Sequence, residues 1–335
     1  MPFIDLHCDT IARLLAARRA GLPGSLRRGT AGGHVSLEKL RASGALLQTF
    51  ALFVNLEGKP LPTAPATGPA DLYARSMDCR GADPLEEVLT LADLYWQEVQ
   101  ANADLVQPVL SFADLAHARR TGKLGALLAV EEGGVCRGQL PLLRTLYRLG
   151  VRVLTLTWNY PNQLAFPNGQ AGGLTDTGRA FLAEMEDLGM LPDVSHLGDE
   201  GFWDLCRLAQ RPFLATHSGC RALHDHRRNL TDEMLRALGD RGCLVGVNFY
   251  AGFLGPHETS RLADLTAHLR HMIRTAGLEA VALGSDFDGI DCPLEVGDAG
   301  HLDRLVQAME AAGFTPREIE AVCWKNAWDF FQRTL

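Results

Sequence analysis

The chain has 335 residues, of which 47% are hydrophobic and 21% charged, and its net charge is −8. A chain of this length can form two ordinary domains or one large α/β barrel with insertions, and its composition is that of a globular protein with a full core. The acidic net charge argues against a nucleic-acid partner, because phosphate binding calls for a basic patch. No apolar run approaches the ~20 residues that cross a membrane.

The N-terminus shows no basic region followed by an apolar core, so no signal peptide is visible. We therefore expect a cytoplasmic protein that has no membrane partner. The eight cysteines form no Cys-x-x-Cys pair, which disfavours a structural zinc ribbon. This pattern indicates that most of them are buried free thiols.

The first third of the chain contains two predicted strands and two predicted helices. An opening apolar strand is followed by a helix over 10–19 and by a loop rich in glycine, proline and arginine over 21–33. A second strand over 44–54 leads into a long excursion over 57–81 that contains four prolines. Loops of that length are usually functional or mobile. Apolar residues at helical spacing predict a helix over 84–105.

Strands and helices alternate regularly from residue 124 onward. Further strands are predicted over 124–130, 151–157, 189–194, 212–216, 243–249 and 280–284. Helices are predicted over 139–149, 176–188, 199–209, 230–238 (with Thr231 as N-cap) and 260–276, and the tail over 300–335 is helical. Eight strands with helices between most of them predict one α/β domain over 1–335, a (β/α)8 TIM barrel.

Side chains that can bind a metal follow five of these strands. Catalytic groups lie at the C-terminal ends of the strands in such barrels. The residues at those ends are His7 and Asp9, Glu131 and Glu132, Ser195 and His196, His217 and Ser218, and Asp286. Each of them alone has an ordinary explanation as a core histidine, a helix cap or a loop carboxylate. Their coincidence at one end of one barrel favours a single shared site.

The number of candidate ligands indicates a pair of metal ions. His7 and Asp9 would lie on one face of a strand, so one cation could bind both. Three histidines with two or three carboxylates exceed the ligand set of one tetrahedral zinc and suit two metals about 3.5–4 Å apart.

Such a pair needs a bridging anionic ligand. Many barrels of this kind use a carboxylated lysine, but no lysine occurs between Lys123 and Lys325, so a glutamate is the natural bridge. Glu131 and Glu132 are both candidates, and a shift of one residue would reverse the face of the strand. We favour Glu131 because it directly follows Val130.

Eight short motifs occur in a specific order between His7 and about Asn326. They are His7-x-Asp9, Val130-Glu131-x-Gly133, Leu154-Thr155-Leu156-Thr157, Asp193-Val194-Ser195-His196, Thr216-His217-Ser218, Arg228-Asn229-Leu230, Asn248-Phe249-Tyr250 and Gly284-Ser285-Asp286-Phe287-Asp288-Gly289. In this order and spacing, they make the chain resemble the membrane (renal-type) dipeptidases, peptidase family M19, a branch of the metal-dependent amidohydrolases.

The resemblance implies a role for each of eight residues. His7 and Asp9 bind the first zinc, Glu131 bridges, His196 and His217 bind the second zinc, Asp286 is the catalytic acid/base, and Arg228 and Tyr250 form the pocket for the terminal carboxylate of the substrate. By this resemblance Asp286 takes a proton from the bridging hydroxide and passes it to the leaving amine. The chemistry agrees with the residue types, because an arginine fork binds a carboxylate through two hydrogen bonds.

One position departs from the family pattern. Well-described members carry a histidine directly after the strand over 151–157, where it contacts the substrate and helps to stabilise the tetrahedral intermediate. This chain has Trp158 there. An indole donates only one hydrogen bond and cannot carry charge. Trp158 is therefore a substrate-binding residue whose presence changes the rate, the substrate range or the group that stabilises the oxyanion.

The function implied by the resemblance is that of a zinc dipeptidase with two Zn²⁺ ions per chain. It would cleave small dipeptides that have a free C-terminal carboxylate, including those with a C-terminal D-residue, and a homodimer is compatible with this activity. Two alternatives stay open. One is an amidohydrolase of the same fold that acts on another small amide, lactone or ester. The other is a non-catalytic barrel that binds a small molecule, against which the site residues on five strands argue.

Overall fold

The protein is described by a computed structural model that covers residues 1–62, 64–81 and 83–335. Its central feature is a closed barrel of eight parallel strands. They are β1 (Phe3–Cys8), β2 (Ala45–Phe53), β3 (Leu124–Glu131), β4 (Val151–Thr155), β5 (Leu191–Asp193), β6 (Leu214–Ser218), β7 (Leu244–Val247) and β8 (Val281–Leu283). Each strand pairs in parallel with the next, and β1 pairs with both β2 and β8. The predicted TIM barrel is confirmed.

Helices follow most of the strands and surround the barrel. They are α1 (Thr10–Arg19), α2 (Leu37–Ser43), α3 (Pro69–Met77), α4 (Pro84–Ala101), α5 (Phe112–Thr121), α6 (Leu140–Arg148), α7 (Asp176–Leu188), α8 (Asp199–Leu208), α9 (Asp232–Asp240), α10 (Ala251–Leu254), α11 (Leu262–Ala276), α12 (Asp303–Ala311), α13 (Pro316–Glu320) and α14 (Asn326–Thr334). A π-helical turn over Ala321–Lys325 joins α13 to α14. The predicted N-cap Thr231 is confirmed, because its side chain accepts a hydrogen bond from the Met234 backbone nitrogen.

The helix predicted over 84–105 ends at Ala101, and a strand and a helix follow that the sequence pattern did not predict. The strand Val106–Val109 pairs with the first half of β3, and β4 replaces it from Leu128 onward. This strand has only four residues and contains Pro108, so it is too short to show a clear alternation of apolar and polar residues. The helix α5 begins with a capping box formed by Ser111 and Asp114.

The proline-rich segment over 57–81 is more regular than an open excursion. It contains α3 and a short parallel pairing of Lys59–Pro60 with Cys79–Arg80. Thr63, inside this segment, lies outside the described residues. Leu72 of α3 is buried in a small apolar cluster with Ala16 and Ala17 of α1. This tertiary contact orders the segment, because its own composition favours turns.

The barrel strands are buried along their length. All eight residues of β3 are buried, as expected for a parallel strand with helices on its outer face. In the part of the chain that the structure describes, no helix is both long and apolar enough to span a lipid bilayer.

Candidate active site

Six of the predicted site residues meet at the C-terminal end of the barrel. They are His7, Asp9, Glu131, His196, His217 and Asp286. His7 lies on β1, whereas Asp9 lies just beyond the strand, at the position before α1. The Nε2 atom of His7 is 3.4 Å from Oδ2 of Asp9, so the two side chains still converge although only one of them is on the strand.

Glu131 lies between the two halves of this cluster. It is the last residue of β3, and its Oε2 is 3.4 Å from Nε2 of His7. Its Oε1 is 3.1 Å from Nε2 of His196 and 3.4 Å from Nε2 of His217. Each carboxylate oxygen therefore faces a different half of the cluster, which is the arrangement that a bridging ligand requires.

Glu132 faces away from the cluster and has a different set of partners. Its backbone is left-handed, with φ at 112°. Its carboxylate accepts hydrogen bonds from the backbone nitrogens of Gly134 (2.7 Å) and Trp158 (3.0 Å) and from the amide of Asn162. Burial raises the pKa of Glu132 to about 7. This residue ties the end of β3 to the loop after β4, and the structure places only Glu131 among the histidines.

The ring nitrogens of His196 and His217 leave two lone pairs facing each other. Nδ1 of His196 lies 3.1 Å from Oδ1 of Asn159, an acceptor, so Nδ1 carries the proton. Nδ1 of His217 lies 2.8 Å from the Thr216 hydroxyl, which donates its own hydrogen to Asp193. Both Nε2 atoms are therefore unprotonated, although they lie 3.1 Å apart. Two lone pairs at this distance repel each other unless a cation lies between them.

Other atoms of the cluster also lack partners. In the described residues, Nε2 of His7 and both carboxylate oxygens of Asp9 are buried without a hydrogen bond. Such groups carry a large desolvation penalty unless something binds them. The ligand atoms lie 3.1 to 3.4 Å apart, close to the roughly 3.3 Å that separates neighbouring ligands of a tetrahedral ion with bonds near 2.05 Å. The residues thus fit metal ions.

The electrostatics of the cluster also call for positive charge. Burial opposes protonation of His7, but the carboxylates of Glu131 and Asp9 outweigh it and hold the pKa of His7 well above its usual value. Burial lowers the pKa of His196 to about 4, and the nearby Arg228 adds to this effect. His196 is therefore a neutral imidazole at physiological pH, the form in which histidine binds metals.

Asp286 approaches the cluster from the turn after β8. Its Oδ1 is 4.0 Å from Nε2 of His7, and its Oδ2 accepts a hydrogen bond of 2.9 Å from the amide of Asn248. Burial raises the pKa of Asp286 to about 6. A Cβ atom on Gly289 would lie 2.1 Å from Oδ2 of Asp9 and 2.6 Å from Oδ1 of Asp286. Only glycine therefore allows the two carboxylates to lie so close to this turn.

A cavity of about 400 Å³ opens onto this cluster, and Arg228 lies in its wall. The Arg228 side chain is buried, and its guanidinium lies 5.2 Å from the ring centre of Phe253. Its Nη2 donates a hydrogen bond of 3.4 Å to the His217 carbonyl, and its Nε has no partner. No carboxylate in the described parts of the chain forms an ion pair with it. Burial lowers the pKa of Arg228 to about 10, so the side chain stays charged and can accept an anion from the cavity.

Two aromatic residues predicted to bind substrate also line the cavity. Trp158 is half-buried, stands edge-on to Phe53 with ring centres 4.8 Å apart, and lies 5.9 Å from the ring of His196. Tyr250 is also half-buried in the cavity wall, and its backbone nitrogen donates to Oδ1 of Asn248 at 2.6 Å. Trp158 thus forms an apolar wall beside the histidines.

The sequence interpretation assigned no role to three polar residues that support the cluster. Asn159 orients His196, Thr216 orients His217, and Asn248 contacts both Asp286 and Tyr250. Asn159 and Asn248 follow barrel strands, and Thr216 lies within β6 directly before His217. These positions beside the candidate ligands are the signal that could have identified them. Asn159 and His196 lie 37 residues apart and Asn248 and Asp286 lie 38 apart, so no local pattern shows these two contacts, whereas Thr216 is adjacent to His217.

Comparisons with known proteins show which family has this fold and sequence. Residues 1–334 match the membrane dipeptidase family, peptidase family M19. The crystal structure of dipeptidase AC, a metallopeptidase of family M19, is 26% identical with a TM-score of 0.85, and the match covers 100% of this chain and 98% of that one. A metallopeptidase from Rhodobacter sphaeroides, liganded with a phosphinate mimic of the dipeptide L-Ala-D-Ala, is also 26% identical, with a TM-score of 0.85 and coverage of 100% and 99%.

A protein of Klebsiella pneumoniae from the pqqA 5′ region is 34% identical over 253 residues. That match covers 70% of this chain and 93% of the Klebsiella protein. The family match over residues 1–334 includes every strand that contributes to the cluster.

Proposed function

Because this chain belongs to the membrane dipeptidase family of metallopeptidases, family M19, we propose that it hydrolyses small dipeptides with a free C-terminal carboxylate, using two zinc ions per chain. The family makes the protein a metal-dependent hydrolase of the dipeptidase type. The identity and number of the metal ions and the form of the substrate are the parts that we add.

The observation that carries the substrate proposal is the buried, unpaired guanidinium of Arg228. A buried arginine without an acidic partner is costly, and a bidentate carboxylate is the ligand that best matches its planar donors. Arg228 lies on the same cavity as Glu131 and Asp286. In the described residues, no other buried cation lines this wall, so Arg228 is the group to which the terminal carboxylate of a dipeptide would bind. The peptide bond would then lie in the same cavity as the cluster.

The ligand set supports two zinc ions. His7 and Asp9 would hold one ion, His196 and His217 the other, and Glu131 both, which gives each ion nitrogen and oxygen ligands of the kind zinc prefers. When bound, such ions lower the pKa of a water molecule and polarise the scissile carbonyl.

The proton transfers fall to Asp286. Its Oδ1 faces the cluster, and its other oxygen is held by Asn248. In this position the carboxylate can accept the proton released as water attacks the carbonyl carbon and then donate it to the departing amine. Arg228 holds the carboxylate of the substrate meanwhile, and Trp158 and Tyr250 enclose the side chains.

Substrates with a C-terminal D-residue belong to the proposed range. The similar Rhodobacter sphaeroides structure holds a mimic of L-Ala-D-Ala, and Arg228 and Tyr250 both line the present cavity of about 400 Å³. Neither a nucleic acid nor a membrane takes part in the proposed reaction.

A library of L-L and L-D dipeptides, assayed beside the corresponding dipeptide amides, tests the substrate proposal. We expect the amides, which lack the terminal negative charge, to react roughly 10- to 100-fold more slowly. Arg228→Gln should reduce this difference, while Arg227→Gln, its exposed neighbour on the same cavity, is the matched control and should preserve it. Flat rates across the library, with hydrolysis of a lactone or an ester instead, would favour the alternative amidohydrolase.

Metal analysis of the freshly purified protein tests the second part of the proposal. We expect two zinc ions per chain by inductively coupled plasma mass spectrometry. Fewer than one zinc ion per chain would favour a barrel that only binds small molecules.

A further inference from the structure

Asp288 is a buried carboxylate near the site whose role the proposed mechanism does not explain. Its side chain is only 1% exposed, and it does not line the cavity. Its Oδ1 accepts a hydrogen bond from the backbone nitrogen of His34 (2.6 Å), and its Oδ2 accepts one from the hydroxyl of Thr10 (2.8 Å). Its own backbone nitrogen donates to Nδ1 of His34 (3.0 Å). The residue is therefore held from both its side chain and its backbone.

These contacts join three separate segments at the rear of the site. Thr10 begins α1 and directly follows the candidate ligand Asp9. His34 lies near the end of the loop between α1 and α2. Arg13, 3.9 Å from Oδ1 of Asp288, anchors that loop by hydrogen bonds to the Thr30 side chain and the Ala31 carbonyl. Asp288 itself belongs to the turn that carries Asp286. One carboxylate thus links the start of α1, this loop and the turn after β8.

The turn after β8 has a backbone that needs such support. Asp286 and Asp288 both have left-handed backbones, with φ at 62° and 67°. Non-glycine residues adopt this conformation only when surrounding contacts stabilise it. Within the described residues, the Asp286 carboxylate has one side-chain hydrogen bond, from Asn248, so its position also depends on the backbone of the turn.

We propose that Asp288 is a positioning residue that holds the carboxylate of Asp286 against the cluster by fixing the turn to Thr10 and His34. The inference rests on the proposed acid/base role of Asp286. Because Thr10 is next to Asp9, these contacts add to the backbone hydrogen bonds that join the turn to β1, from Asp9 to the Phe287 carbonyl (2.9 Å) and from Asp286 to the His7 carbonyl (3.2 Å). Loss of the Asp288 carboxylate should therefore impair proton transfer while leaving the cavity and the ligands in place.

Asp288→Ala in the zinc-loaded protein is the direct test. We expect kcat to fall by about 10²-fold, the loss typical of a misplaced catalytic group, with KM within about threefold of the wild type. Zinc content should be unchanged. Asp288→Asn should recover most of the activity, because its Oδ1 can still accept from His34 and its amide can donate to the Thr10 hydroxyl. A crystal structure of the alanine variant should show that the contact between Asp286 and Asn248 is lost.

A double-mutant cycle separates positioning from general damage. If Asp288 acts through Asp286, then Asp288→Ala should have no further effect on the residual activity of Asp286→Asn. The matched control is Asn326→Ala, which removes a buried amide that donates to the Leu278 and Val281 carbonyls near the start of β8. This control should lower the melting temperature without changing kcat.

The outcomes distinguish the two proposals. Turnover that survives Asp286→Asn would refute the acid/base role itself. If Asp286→Asn lowers turnover as expected but Asp288→Ala keeps kcat within twofold of the wild type, only the positioning role of Asp288 is wrong. The same holds if Asp288→Ala lowers the residual activity of Asp286→Asn by the same factor as it lowers wild-type activity. Should the alanine variant not fold, Thr10→Val, which removes one contact while keeping the side-chain shape, must still lower kcat several-fold, and an unchanged kcat would overturn the inference.

Discussion

Two buried polar clusters lie side by side in the barrel, and they differ in how completely their hydrogen bonds are satisfied. Asp193, fully buried, accepts bonds from the backbone nitrogens of Ser195 (3.0 Å) and Thr216 (2.9 Å) and from the hydroxyls of Thr155 (2.8 Å) and Thr216 (2.7 Å). Asp9, equally buried, has no hydrogen-bond partner for either oxygen within the described residues. The hydrogen bonds of a buried aspartate are therefore satisfied in the Asp193 cluster, which we call the complete cluster. They are unsatisfied in the Asp9 cluster, which we call the incomplete cluster.

This difference separates a structural carboxylate from one that awaits a ligand. A buried carboxylate that accepts four hydrogen bonds is stable as it is. Burial without such bonds raises the pKa of Asp9 to about 8, and a bound cation would offset this cost of desolvation. The two clusters are also connected, since Asp193 accepts from Thr216, which orients His217. Burial of a charged residue alone therefore does not identify a functional site, whereas a buried carboxylate with no hydrogen-bond partner for either oxygen distinguishes Asp9 from Asp193 within the described residues.

The largest effect is expected from Glu131→Gln, which removes the negative charge shared by both halves of the incomplete cluster. Zinc content should fall below two ions per chain, and turnover should fall by at least about 10³-fold, since several kcal/mol of transition-state stabilisation depend on the metal pair. Zinc analysis and dipeptide assays measure both. Glu132→Gln is the matched control one residue away and should keep its zinc. If the two variants exchanged these results, the assignment of the bridge would be wrong.

Asp286→Asn should separate metal binding from catalysis within the same cluster. The amide keeps the shape of the side chain but cannot take up a proton, so turnover should fall by about 10²- to 10⁴-fold. Zinc content should remain that of the wild type. An active Asp286→Asn variant would show that another group transfers the proton.

Asp193→Asn tests the complete cluster, and this substitution should lower the stability of the protein without changing its zinc content. The new amide group would face hydrogen-bond donors, and we expect the free energy of unfolding to fall by about 3 kcal/mol. Urea denaturation of the wild type and the variant, both stripped of metal, measures this change. An unchanged unfolding midpoint would contradict the structural role given to Asp193.

His268 offers a smaller effect, because its hydrogen bonds are complete only in the neutral form. Its Nδ1 accepts from the Cys220 backbone nitrogen (3.0 Å), and its Nε2 donates to the Leu254 carbonyl (3.1 Å). Burial lowers its pKa to about 4. The unfolded chain, with a histidine pKa near 6.5, therefore binds more protons between these values, and stability falls as the pH drops through this window.

At pH 5 this difference should remove about 2 kcal/mol of stability relative to pH 8. His268→Asn keeps an acceptor for the Cys220 nitrogen and does not titrate, so the variant should lose correspondingly less stability between pH 8 and pH 5. Denaturation of both metal-free proteins across this range gives the comparison. Identical pH dependence of wild type and variant would show that His268 is protonated without penalty.

The sequence predicted the features that depend on local patterns. Hydrophobic runs identified all eight barrel strands, and the helix over 10–19 has the predicted limits. The candidate ligands could be found for the same reason, because a barrel brings the ends of its strands together and the residues at those ends can be read along the chain. His196 and His217 lie 21 residues apart, but their Nε2 atoms are 3.1 Å apart.

Features that depend on partners distant in the chain could not be predicted in this way. The strand Val106–Val109 is defined by its pairing with β3, and α3 is ordered by its contact with α1. The orientation of Glu131 and Glu132 was open in the sequence, since two adjacent acids on a strand differ only in the face they occupy. The support of His196 by Asn159 was equally hidden.

The sequence by itself therefore determined the barrel, the positions of its strands and the set of residues that reach its C-terminal end, because periodicity and strand order are local properties. Only the tertiary structure decided which of those residues have unsatisfied hydrogen bonds. Asp9, Asp193 and Asp288 are all buried aspartates near strand ends. Within the described residues, Asp9 lacks hydrogen-bond partners, Asp193 accepts four hydrogen bonds and Asp288 joins three segments, and no sequence pattern around them shows this difference. That distinction arises from hydrogen bonds between segments far apart in the chain, which exist only once the barrel has closed.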